Sequence, residues 1–115
     1  MTPITSLEDA QDAVRNNPVT LLYFSQHNCG VCDAMRPKVE ALVAERPRMA
    51  AYEINASESP EAAAQYNIFT IPGILIFILG KETVREARYV SLELLEERID
   101  RYLEILPDHS SPAAG

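Results

Sequence analysis

Two nearly unbroken apolar runs constrain this chain most: Val-Thr-Leu-Leu-Tyr-Phe at 19–24 and Ile-Leu-Ile-Phe-Ile-Leu at 74–79. Neither alternates polar with apolar residues, so neither reads as a strand with one face in water. Both read as central strands covered on both sides, as in a sheet held between helices. The rest of the chain supplies the helices. Ser6 caps a segment with apolar residues at Leu7, Ala10, Ala13 and Val14, stopped by Asn16-Asn17-Pro18. From 30 to about 46, Val31, Met35, Val39, Leu42 and Val43 share one helical face. Pro37 lies inside that helix, where it removes a ladder hydrogen bond and predicts a kink, and Pro47 ends it. Residues 49–54 read as a short strand. Ser59-Pro60-Glu61 opens a short helix with a capping serine, proline at N1 and an acid at the positive end of the dipole. Gly80-Lys81-Glu82 turns into a strand at 83–88. Ser91 caps a last helix with Leu92, Leu95, Ile99 and Leu103 on one face, and Pro107 stops it.

The early alternation predicts a parallel βαβ unit, and the late strand pair an antiparallel hairpin. The expected class is α/β, with a central mixed sheet of four to five strands flanked by about four helices. A chain of 115 residues, 47% hydrophobic and 23% charged, suits one globular core. That domain is expected over 1–106, with a flexible C-terminal tail at 107–115.

The chain has two cysteines, Cys29 and Cys32, in Cys-Gly-Val-Cys. A disulfide between them closes a tiny loop and is a poor staple, because stabilisation grows with loop length. Their place suits chemistry better. Cys29 follows a strand and a polar loop and stands at a helix start, where backbone N–H groups and the helix dipole stabilise a thiolate. Cys32 is three residues on and faces the same side, so the pair can close a disulfide within one turn. Cys29 would attack a substrate disulfide, and Cys32 would resolve the mixed disulfide. His27, if protonated, would favour the Cys29 thiolate, and Asp33 would oppose it. Arg36 and Lys38 read as ordinary helix-surface charges. A structural zinc needs about four ligands; His27 and His109 are the only histidines, and His109 falls in the expected tail. No metal and no cofactor are therefore expected.

A net charge of −7 argues against nucleic acid or an anionic membrane as partner. The first residues show no basic and then apolar signal, and no run approaches the roughly 20 apolar residues of a membrane span. A cytoplasmic monomer is expected, in a compartment where a lasting structural disulfide is unusual.

From about 19 to 106 the chain resembles the thioredoxin family. The resemblance is carried by Leu22-Tyr23-Phe24 before the loop, Cys29-Gly30-Val31-Cys32, Pro37, Tyr66-Asn67-Ile68, Ile71-Pro72 and Gly80-Lys81, in that order and spacing. It is nearest to divergent bacterial members. It implies a thioredoxin fold and a protein disulfide oxidoreductase supplied with electrons by a thioredoxin-reductase-like donor. It also implies a cis peptide bond at Ile71-Pro72 facing the dithiol. Ile71, Pro72, Gly30, Val31 and Asn28 would then contact protein substrates.

Several positions depart from the family pattern. Asn28 stands where a tryptophan is usual, Val31 where the motif has proline, and Gly73 where threonine is common. Tyr23 stands where the family carries a buried acid that helps deprotonate the second thiol. Arg88, beside Tyr89, falls where a glycine opens the substrate groove. These departures keep a second reading open: a redox-responsive binding module or adaptor for one dedicated partner, with little general reductase activity. A glutaredoxin-like role is weakened by the absence of a Gly-Gly pair after the proline.

Overall fold

A computed structural model of the chain describes residues 1–87 and 90–107. Arg88, Tyr89, His109 and the expected tail beyond 107 lie outside the described residues.

The described residues form five strands and four helices in the order β1 (Thr2–Ile4), α1 (Leu7–Asn16), β2 (Val19–Ser25), α2 (Gly30–Ala44), β3 (Ala50–Asn55), α3 (Pro60–Gln65), β4 (Gly73–Ile78), β5 (Lys81–Ala87) and α4 (Leu92–Ile105). The strands form one mixed sheet in the order β1-β3-β2-β4-β5. β1, β3 and β2 run parallel, and β4 and β5 run antiparallel to their neighbours. The apolar runs become β2 and β4, paired with each other near the sheet centre, with Phe24 opposite Gly73. All seven residues of β2 are buried. That explains the missing alternation: both faces are covered.

One face carries α1 and α3, whose Ala10, Ala13, Val14, Ala62 and Ala63 pack on Leu22, Phe24, Ile54, Leu75 and Phe77. The other carries α2 and α4, whose Val39, Leu42, Leu95 and Ile99 pack on Leu21, Tyr23, Ile74, Ile76 and Val84. The alanines let the short helices approach the sheet closely, while the longer helices reach it through leucine and isoleucine. Arg46 joins α2 to α4 by a paired contact, Nε and Nη2 to the Asp100 carboxylate at 2.8 and 2.9 Å.

Three local expectations need correction. β1 is an additional short parallel strand, paired Thr2 to Tyr52 and Ile4 to Ile54; three residues including Pro3 carry no periodic signal. Ser59 stands at the N-cap of α3, but its side chain makes no capping hydrogen bond, and its buried hydroxyl has no hydrogen-bond partner among the described residues. Val31 leaves the inner face of α2, being 61% exposed, because Cys32, Val39 and Leu42 set the buried stripe and Val31 is about 100° around the helix from Cys32. Ser6 and Ser91 do cap, accepting from Asp9 N–H at 3.1 Å and Leu94 N–H at 3.3 Å.

Candidate active site

β2 delivers the chain to Ser25 at the C-terminal end of the central strand, and a short loop turns it into α2. Asn28 makes that turn in the left-handed region, with φ of 55°. Asparagine is among the few non-glycine residues that adopt it readily, whereas a bulky or β-branched side chain would be strained. Cys29 follows as the N-cap of α2, in extended backbone, and its Sγ accepts the Cys32 N–H at 3.1 Å. This is the usual capping bond with sulfur in place of oxygen, and an N–H aimed at the sulfur stabilises negative charge on it. Cys29 and Cys32 are joined by a disulfide, with Cα atoms 5.2 Å apart. Cys32 is fully buried, whereas Cys29 is partly exposed. Gly30 is exposed, with open space where a Cβ would stand.

Beneath the disulfide lies a polar cluster set into the apolar face under α2. Tyr23 is completely buried and donates its hydroxyl to the Cys32 carbonyl at 2.7 Å. Burial pushes its phenol up to about 12, so it stays neutral at physiological pH. Opposite it in register, on β3, stands Glu53. Its carboxylate accepts both Nε and Nη2 of Arg36 at 2.8 Å and the Ser25 hydroxyl at 2.7 Å. The Arg36 bonds hold the Glu53 carboxyl below the usual carboxylate range against the opposing effect of burial, and Ser25 adds to them. Arg36 also reaches Asp33 at 3.0 Å, so the Asp33 charge near the dithiol is compensated. The helix-surface reading of Arg36 is thus corrected: its side chain is 31% exposed and tied across to the sheet. The signal for it was a lone acid within a strand, whose carboxylate, 19% exposed, needs a cationic or hydrogen-bonding partner.

His27 is exposed, and its ring Nε2 lies 3.1 Å from Glu58 Oε2 while its backbone N–H donates to Ser57. These contacts tie the active-site loop to the β3–α3 loop and give the ring a carboxylate partner. The Ile71-Pro72 peptide bond is cis. It immediately precedes β4, which is antiparallel to β2, so it lies at the end of the sheet from which the chain enters the Cys29 loop. Ile71 is half-buried and Pro72 buried. After them, a Cβ on Gly73 would stand 3.3 Å from the Ile68 Cδ1, so a larger residue there would have to displace that side chain. A groove of about 430 Å³ runs between α2 and the start of α4, lined by Val31, Met35, Val90 and Leu92 with Lys38 and Glu93. Sequence reasoning missed Glu53, Ser25 and Glu58, all brought to the site by pairings across the chain.

A cysteine pair that closes a disulfide in the first turn of a helix, the first residue partly exposed and the second buried, defines a thiol–disulfide oxidoreductase of the α/β class. Comparison with known proteins agrees. The thioredoxin family model matches residues 2–101. A thioredoxin-like protein of Bacillus subtilis, YdfQ, is 34% identical over 101 residues, covering 88% of this chain and 90% of its own length. The thioredoxin of Chlamydia trachomatis is 29% identical over 102 residues, covering 89% and 99%. Among solved structures, Fasciola hepatica thioredoxin is 28% identical with a TM-score of 0.79, covering 88% and 98%. Thioredoxin from Trypanosoma brucei brucei, at 16% identity and a TM-score of 0.83 over 90% and 91%, shares the fold. The chain belongs to the thioredoxin family.

Proposed function

We propose that the chain is a protein disulfide reductase in which Cys29 is the nucleophile and Cys32 the resolving thiol. The Cys29 thiolate attacks a substrate disulfide, forms a mixed disulfide and releases one substrate thiol. The Cys32 thiolate then attacks the Cys29 sulfur, closing the Cys29–Cys32 disulfide and releasing the second substrate thiol. Two electrons pass to the substrate, and the two thiol protons end on its sulfurs. A thioredoxin-reductase-like donor returns the protein to the dithiol. The observation that carries this reading is the unequal burial of the two cysteines at the start of α2. Ile71, Pro72, Gly30, Val31 and Asn28 form the substrate contact, at the end of the sheet where both segments arrive. A monomer in the reducing cytoplasm, acting on protein disulfides without nucleic acid or membrane, fits the acidic surface. No helix among the described residues is long and apolar enough to cross a membrane.

The test is reduction of insulin disulfides with dithiothreitol as donor. Wild type accelerates it well above background and Cys29→Ser does not; equal rates for the two proteins would refute the reading. One observation favours the narrower alternative of an adaptor for a single partner: the neutral Tyr23 phenol where the family pattern implies an acid. Trapping with Cys32→Ser separates the two. Mixed disulfides with many proteins support a general reductase, and with one protein an adaptor.

A further inference from the structure

The polar cluster under α2 spans two adjacent strands and grips the helix turn that carries Cys32. Tyr23, from the fully buried β2, binds the Cys32 carbonyl at 2.7 Å. Its neighbour across the sheet, Glu53, binds Arg36 one turn further along the helix, and Ser25 completes that carboxylate. The first two turns of α2 are therefore fixed to the rigid sheet at two points. We propose that Tyr23 is a positioning residue for the resolving step: its hydroxyl holds the Cys32 peptide so that the Cys32 sulfur lies in line with the Cys29 sulfur.

The proposal rests on the roles assigned to Cys29 and Cys32 above. It does not ask Tyr23 to take a proton. The phenol remains a hydrogen-bond donor to a carbonyl, and carbonyl oxygen has lone pairs to accept it besides any helical bond. Attack by Cys32 on a mixed disulfide is intramolecular, so its rate depends steeply on the placement of the two sulfurs. Attack by Cys29 on an external disulfide draws on the Cys32 N–H, 3.1 Å from the Cys29 sulfur, and not on the Cys32 carbonyl that Tyr23 binds. Loss of the Tyr23 hydroxyl should therefore separate the two steps.

Reaction of the reduced protein with 5,5′-dithiobis(2-nitrobenzoate) reads both steps. Cys29 releases one thionitrobenzoate in a bimolecular phase, and Cys32 releases the second in a unimolecular phase. In Tyr23→Phe the first phase should be unchanged and the second slower by about 3- to 10-fold, the effect of one buried hydrogen bond. Tyr66→Phe, which removes a phenol hydroxyl on the opposite face of the sheet, should leave both phases unchanged. Equal second phases in wild type and Tyr23→Phe overturn the proposal. So does slowing of both phases alike, which marks a general loss of structure. A wild type that never releases the second thionitrobenzoate refutes the assigned cysteine roles themselves, and the proposal with them.

Discussion

Glu53 shows what a single residue contributes to this site. Its carboxylate is 19% exposed and bonded to both Arg36 and Ser25. Its folded pKa lies below the ordinary value of 4.5, chiefly through the Arg36 bonds. A depressed carboxyl pKa adds stability that is present above the unfolded value and is lost as pH falls through the folded one. Wild type should therefore lose stability on acidification below about pH 4.5 more steeply than Glu53→Gln. At neutral pH Glu53→Gln should be less stable by about 1–2 kcal/mol, the order of a charge-assisted hydrogen bond in a partly solvated pair. Denaturant midpoints across the acid range check both statements, and parallel curves for the two proteins would contradict them. Residues of this kind explain why only part of the site was legible. Cys29 and Cys32 announce themselves by spacing. Glu53 and Arg36 are 17 positions apart and meet only because β3 lies beside β2 under α2.

At the scale of elements, the helices were readable where capping and periodicity agreed. Ser6 and Ser91 bond as their positions imply, and Leu95 and Ile99 form the buried stripe of α4. Ser59 has the same local signal, but its side chain makes no capping bond and its buried hydroxyl has no hydrogen-bond partner among the described residues. β1 was illegible for the opposite reason, since its pairing comes from the edge of β3 and not from its own three residues. The end of α4 also depends on a distant residue. Arg48 donates to the carbonyls of Leu103, Leu106 and Pro107 at 2.8 to 2.9 Å, satisfying acceptors that a helix C-terminus leaves free. Arg48→Ala should fray this turn. Amide hydrogen exchange should quicken there by roughly tenfold, the effect of about 1.4 kcal/mol of lost hydrogen bonding. Exchange in β2 and β4 should change only with global stability. Unaltered exchange in the last turn of α4 would show that Arg48 does not hold it.

For the whole molecule, the mixed sheet with helices on both faces was legible because β2 and β4 lack alternation. This architecture places the dithiol. The central β2 ends at one end of the sheet, the chain turns through Asn28, and α2 starts with Cys29 partly exposed and Cys32 buried. The antiparallel return of β4 brings the cis Ile71-Pro72 bond to the same end. The asymmetry between the cysteines follows from helix phase: the N-cap stands outside the buried stripe that Cys32 joins. The direct test of that asymmetry is the intact mass of cysteine variants after mixing with a disulfide-bonded peptide. Cys32→Ser should accumulate a mixed disulfide through Cys29 and stall there, while Cys29→Ser should accumulate none on the same timescale. A stable adduct through Cys32, or no adduct in Cys32→Ser, would contradict the account.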